Sequence, residues 1–235
     1  MTYFDDMNYR LNVVNLLIAV KNTETYRKLE KKTKISQSEL SRYVKGHNIP
    51  RKERCDKLYR ILKDYLDFTD ILRGCIQKKD DFLDFCISPL QKNYLFATSR
   101  LYLDVFEFTK GLEITKILTA ETAGTYWSSM VSYTFKKPLV TLRKVPFEED
   151  DIQETIKRNG DYLTLYTPRK TIERGDNIFF MDAFARKGCT SMLANNLVKK
   201  CGARIKAYYF LASIGNEWEP ALESIGRPYK ILLKY

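Results

Sequence analysis

Four apolar residues, Ile178-Phe179-Phe180-Met181, lead into one acid, Asp182, and then into Ala183-Phe184-Ala185-Arg186-Lys187-Gly188-Cys189-Thr190. A helical pattern follows from Ser191 to Lys200. The spacing predicts a buried strand over Ile178–Met181, a loop of phosphate size, and a helix from Thr190 to Lys200. The first turn of such a helix leaves its backbone N–H groups unpaired, and the helix dipole adds partial positive charge, so an anion is favoured there. This segment confines the chain to folds in which a buried strand feeds a helix.

The rest of the chain narrows the choice. A length of 235 residues suits one large domain or two small ones. No apolar run approaches ~18 residues; the longest, Leu11–Val20, is interrupted by Asn12 and Asn15. The N-terminus lacks a basic segment followed by an apolar one, so no secretory signal is read and a cytoplasmic protein is expected. Cys55, Cys75, Cys86, Cys189 and Cys201 show no CxxC spacing and read as reduced thiols. With the single His47, they give no metal site and no histidine-based catalysis.

Charge is concentrated. Fourteen Lys/Arg against five Asp/Glu between Lys21 and Lys63 place +9 of the net +11 in 43 residues. Such a block favours a polyanion partner. Helices are expected at Tyr9–Val20, Tyr26–Lys34, Ser36–Lys45 and Lys52–Leu66, with a further helix or pair over Asp67–Cys86. Ser36-Gln37-Ser38-Glu39 has the form of a reciprocal capping box. Ile35–Gly46, followed by Asn48-Ile49-Pro50, resembles the helix-turn-helix of phage-repressor-like domains, a likeness covering Leu11 to Leu66. The resemblance implies double-stranded DNA as partner, with Gln37, Ser38, Ser41 and Arg42 near base edges and Lys45, Lys52 and Arg54 on phosphates.

Beyond residue 80, strand and helix alternate: Tyr94–Thr109 helix, Lys116–Thr119 strand, Thr125–Thr134 helix, Pro138–Leu142 strand, a hairpin of Asp161–Thr167 with Lys170–Glu173, then Ile178–Met181, Thr190–Lys200, Arg204–Leu211 and Tyr229–Leu233. The alternation predicts a doubly wound, mainly parallel sheet. Three segments, in order, resemble type I phosphoribosyltransferases across Leu95–Tyr235. Ile117–Gly124 is similar to the pyrophosphate loop, which in that family often carries a non-proline cis peptide. Pro138–Lys144 is similar to a strand ending in two cations. The segment from Ile178 to Thr190 is similar to the motif that binds phosphoribosyl diphosphate (PRPP). Asp161–Glu173 matches the family's hood.

The resemblance implies ligand contacts at Glu121, Thr122, Ala123, Gly124, Arg143, Lys144, Asp182, Arg186, Lys187, Gly188, Cys189 and Thr190. It also exposes a departure. The family motif has two adjacent acids on the ribose hydroxyls; here Asp182 keeps the first and Ala183 replaces the second. The loss of one charge-assisted hydrogen bond costs ~1.5–3 kcal/mol.

The expected architecture is α/β: an all-α helix-turn-helix domain over residues 1–80 and a type I phosphoribosyltransferase-like effector domain over 81–235. The expected function is a homodimeric, sequence-specific transcriptional regulator that senses PRPP or a nucleotide without efficient catalysis. No catalytic residue and no required cofactor are assigned, and Mg²⁺ enters only with a diphosphate ligand. The alternatives are an active purine or orotate phosphoribosyltransferase with an appended nucleic-acid-binding domain, and an architectural protein that binds macromolecules through both halves.

Overall fold

The computed structural model describes residues 2–79, 82–85, 88–158 and 160–235. Two compact units emerge, Met1–Phe108 and Thr109–Tyr235. The boundary expected between residues 80 and 81 lies outside the described residues, as does Cys86. The chain divides instead at 108/109, because the helix over Tyr94–Phe108 packs against the first helix of the chain.

The N-terminal unit is mainly helical. Helix α1 (Tyr3–Lys21) starts a turn and a half earlier than expected, under a complete capping box: Asp5 N–H donates to Thr2 Oγ1 at 3.2 Å and Thr2 N–H to Asp5 Oδ2 at 2.8 Å. Helices α2 (Tyr26–Thr33) and α3 (Gln37–Val44) are joined by three residues, Lys34–Ser36, with Lys34 in the left-handed region at φ 59°. Helices α4 (Lys52–Leu62), α5 (Phe68–Cys75) and α6 (Tyr94–Phe108) complete the bundle. Its core joins Val13, Leu16 and Leu17 of α1 to Leu29, Leu40, Leu58, Leu72 and Leu101.

The unit is not all-α. Strands β1 (Ile76–Lys79) and β2 (Phe82–Phe85) pair antiparallel, where a helix was expected.

The C-terminal unit is built on a five-stranded sheet in the order β4-β3-β7-β8-β9: Leu139–Leu142, Lys116–Ala120, Asn177–Ala185, Arg204–Ser213 and Tyr229–Lys234. Every pairing in it is parallel. Asn177 through Met181 are buried at consecutive positions, so both faces of β7 are covered. One face packs Ile178, Phe180, Tyr208 and Phe210 with Leu193 and Leu197 of α8 (Cys189–Lys200) and Leu222 of α9 (Glu219–Ile225). Helix α7 (Thr125–Phe135) packs on β3, β4 and β7.

The expected hairpin has different arms. Strand β5 (Ile152–Arg158) pairs antiparallel with β6 (Asp161–Thr167), and Lys170–Glu173 is a turn instead. The register pairs Arg158 with Asp161, and Gly160 next to the second arm has φ 90°, a backbone conformation that favours glycine. The inward face Ile152, Glu154, Ile156 carries a charge at its middle position, which hid the apolar alternation.

Candidate functional site

The order of the sheet places the site. The chain runs from β3 outward to β4, then returns past β3 to β7, β8 and β9. The direction of winding therefore reverses between β3 and β7. In open parallel sheets, ligands bind outside the carboxyl ends of the strands at this reversal. The segments that leave those ends are Glu121–Gly124 after β3, Arg143–Lys144 after β4 and the end of β7 with its turn into α8.

After β3, the Glu121–Thr122 peptide is cis, as the resemblance implies. The Glu121 carboxylate accepts from Arg143 Nε at 3.2 Å and from the Lys144 backbone N–H at 3.3 Å. Arg143 also lies over the Phe147 ring, 5.4 Å from its centre. Arg143 is thus partly neutralised by an acid 22 positions earlier, a pairing that only strand adjacency reveals. Thr122 is exposed and Ala123 half-buried.

Gly124 lies close against Asp182. A Cβ there would lie 2.6 Å from Asp182 Oδ1, 2.6 Å from Thr119 Oγ1 and 3.0 Å from the Asp182 Cα. The position is glycine because the Asp182 carboxyl occupies the space. Thr119 is fully buried, and its hydroxyl has no hydrogen-bond partner among the described residues. Sequence reading missed it, although a lone Thr inside the apolar strand Ile117-Leu118-Thr119-Ala120 was a visible signal.

Asp182 lies inside β7, which runs four residues beyond the expected strand end. Its Oδ1 accepts from the Ala183 N–H at 2.7 Å. Burial pushes its carboxyl up to about 7, against the opposing pull of that N–H, Arg186 and Lys144. Ala183, the second motif position, is fully buried.

The turn into α8 is made by Gly188 at φ 74°, the N-cap, and no side chain caps the helix. A Cβ on Gly188 would sit 2.3 Å from the Ala221 Cβ of α9. The first intrahelical bond runs from Met192 N–H to Gly188 O at 3.0 Å, which leaves the N–H groups of Cys189, Thr190 and Ser191 without helical acceptors. Arg186 lies 5.0 Å over the Phe184 ring, and Lys187 pairs with Glu217 at 3.5 Å. Cys189 and Thr190 are half-buried in the first turn. The hairpin β5–β6 is tied to this region: Arg143 and Tyr166 exchange backbone bonds, Asn196 donates to Glu154 at 3.3 Å, and Lys200 pairs with Glu154.

In the N-terminal unit, Ser38, Arg42 and Lys45 are exposed and Ser41 is half-buried on α3. Gln37 is exposed but its amide donates to Glu30 at 2.7 Å. Two of the cations expected to reach phosphates are occupied within the unit. Lys52 pairs with Asp56 and lies 4.1 Å over the Tyr9 ring. Arg54 pairs with Glu39 and donates to Tyr43 OH at 2.7 Å. The capping box is also half made: Glu39 N–H donates to Ser36 Oγ at 3.3 Å, while the Glu39 carboxylate accepts from Tyr43 OH at 2.7 Å and pairs with Arg54.

Among the described residues no group of three or more His, Cys, Asp or Glu is placed to hold a metal, and no helix is long and apolar enough to cross a membrane. Cys55, Cys75, Cys189 and Cys201 stand outside any disulfide.

No family model matches the chain. An adenine phosphoribosyltransferase of Pelagibacter ubique is 27% identical over 113 residues, covering 47% of this chain; the match spans 63% of that protein's length. A hypoxanthine/guanine phosphoribosyltransferase of Methanothermococcus okinawensis is 28% identical over 175 residues, or 70% of this chain and 91% of the other. Among solved structures, an adenine phosphoribosyltransferase from Thermoanaerobacter pseudethanolicus superposes with a TM-score of 0.62 at 16% identity, covering 71% of this chain and 99% of that one. The chain carries a mixed α/β architecture with a mainly parallel sheet, a type I phosphoribosyltransferase-like fold.

Proposed function

We propose that the C-terminal unit binds PRPP and transfers its phosphoribosyl group to a purine base. The observation that carries this reading is the convergence of Asp182, the Glu121–Gly124 turn and the uncapped start of α8 at the reversal point of the sheet. The purine phosphoribosyltransferases among similar chains support it over the ligand sensor expected from sequence. In the reaction the bond from C1′ to the diphosphate oxygen breaks, a base nitrogen bonds to C1′, and the nitrogen's proton is lost. The bare N–H groups of α8 would hold the 5′-phosphate, Asp182 the ribose hydroxyls, and the turn after β3 with Lys144 the diphosphate. The nearby protein donors amount to Asp182 and a Glu121 already paired with Arg143, so Mg²⁺ would arrive on the diphosphate itself and supply charge neutralisation there. Diphosphate release from PRPP, assayed with adenine, hypoxanthine, guanine and xanthine in Mg²⁺, tests the reading. Saturable PRPP binding with no release for any base would leave a sensor.

A second reading has its own observations: Ala183 in place of an acid, and the +9 charge block on a unit whose α2 and α3 are joined by three residues. In it, the chain is a DNA-binding regulator, with Ser38, Ser41, Arg42 and Lys45 at a duplex, Gln37 released from Glu30, and two copies on half-sites about one turn apart. Arg42→Ala then weakens duplex binding by ~1–3 kcal/mol. Equal affinity of the variant for a selected operator would remove Arg42 from the reading surface.

A further inference from the structure

A groove in the N-terminal unit is lined by none of the residues that either reading places on its ligand, although its cations belong to the +9 block. It encloses about 700 Å³ between the α2–α3 connection, the turn after α3 and the first turns of α4. That volume lies within the range of small-molecule sites. We propose that it binds a small organic phosphate, a phosphomonoester on an apolar body.

Four observations carry this. First, Lys34, Arg51 and Lys57 line the groove, all exposed, and among the described residues none of them makes an ion pair. They face a single unpaired acid there, Glu53, because Glu39 is already matched to Arg54. Second, α4 opens into the groove with no side-chain cap; its first backbone bond is Cys55 N–H to Arg51 O at 2.9 Å. The N–H groups of Lys52, Glu53 and Arg54 therefore have no helical acceptors. Third, Asn48 Oδ1 lines the groove, buried and without a hydrogen-bond partner among the described residues. Asn48 as a residue is half-buried, but its unmatched buried oxygen calls for a donor, and a protonated phosphate or a hydroxyl provides one. Fourth, Ile35 and Pro50 supply a buried apolar floor.

The groove is also held in shape. Arg10 of α1 donates to Pro50 O at 2.8 Å and to Ile49 O at 3.5 Å, and Tyr43 OH links Glu39 with Arg54. A site organised before binding loses less freedom when a ligand enters. The phosphate oxygens would meet the first turn of α4 and the unpaired cations, and the apolar body would lie on Ile35 and Pro50.

The test uses the full chain, labelled with ¹⁵N and titrated with phenyl phosphate and, separately, inorganic phosphate. Saturable shifts are expected at the amides of Lys52, Glu53 and Arg54 and at the Asn48 side chain. Half-saturation should come at roughly tenfold lower concentration for phenyl phosphate, because only it covers the apolar floor. Arg51→Glu and Lys57→Glu, both at exposed positions, should each raise that concentration roughly tenfold. Equal response to both probes means an adventitious ion only, and overturns the proposal. So do shifts confined to Gly188–Ser191, shifts that never saturate, and shifts produced by duplex DNA but not by phenyl phosphate. Shifts at both α4 and α8 leave the groove and the C-terminal loop as separate sites, each with its own affinity.

Discussion

Helices α3 and α8 begin in opposite ways. At the start of α3, Ser36 Oγ accepts from Glu39 N–H, and the Glu39 carboxylate turns inward to Tyr43 and Arg54. At the start of α8, Gly188 offers no side chain, and the space a Cβ would need is filled by Ala221. The first arrangement spends polar groups on joining α3 to α4. The second keeps backbone donors open at the mouth of the sheet. Helix ends are equivalent as backbone, so the residue at the cap decides whether such an end is structural or available to an anion.

The largest effect that tests this contrast is on pH dependence. Burial raises the folded pKa of Asp182 to about 7, above the ordinary carboxylate value. The folded chain then holds a proton that the unfolded chain has lost between about pH 4 and pH 7. Stability should fall as pH rises through that window, by up to about 4 kcal/mol, and level off above it. Urea midpoints from pH 4.5 to 8 should show the slope in the natural chain and lose it in Asp182→Asn; parallel curves would mean that the carboxyl is open to water.

Next comes Ala183→Asp, which rebuilds the family's second acid. Because Ala183 is fully buried, the new carboxylate should cost about 3 kcal/mol of stability and give no gain in PRPP affinity. A stable variant with tighter PRPP binding would show that position 183 opens to the ligand.

Gly188→Ala should cost about 2 kcal/mol, from the positive φ and the collision with Ala221. Adding Ala221→Gly should recover the part due to the collision alone, so the two contributions separate in a double-mutant cycle.

Ser36→Ala, at the capped helix, should cost about 1 kcal/mol. Thermal unfolding measures it. A change well below that value would assign the start of α3 to the Glu39–Arg54 pair in place of the hydroxyl.

Much of this was legible in the sequence. The helices expected at Tyr26–Lys34, Ser36–Lys45, Tyr94–Thr109, Thr125–Thr134 and Thr190–Lys200 appeared within a residue or so of their expected ends, and the apolar run Ile178–Met181 became the central strand. The misses share one cause. Strand β5 is polar on alternate positions and has little apolar signal of its own. Helix α9 is a short segment whose burial rests on Leu222. Helix α6 was assigned to the C-terminal domain by its position in the chain, although it packs on α1. In each case partners far along the chain made the decision, and local pattern carries no record of them.

The candidate site divides along the same line. Local chemistry was enough to mark Asp182, Gly188 and the Glu121–Gly124 turn, since an acid, a small-residue turn and a helix start leave a trace in a few consecutive residues. Only the folded sheet matched Arg143 to Glu121, set the Asp182 carboxyl against Gly124 and Thr119 and buried Ala183, and only the packed helices of the N-terminal unit drew Arg54 toward Glu39. Charge neutralisation, desolvation and steric exclusion depend on distances between residues remote in the chain, and those distances exist only once the strands and helices have packed.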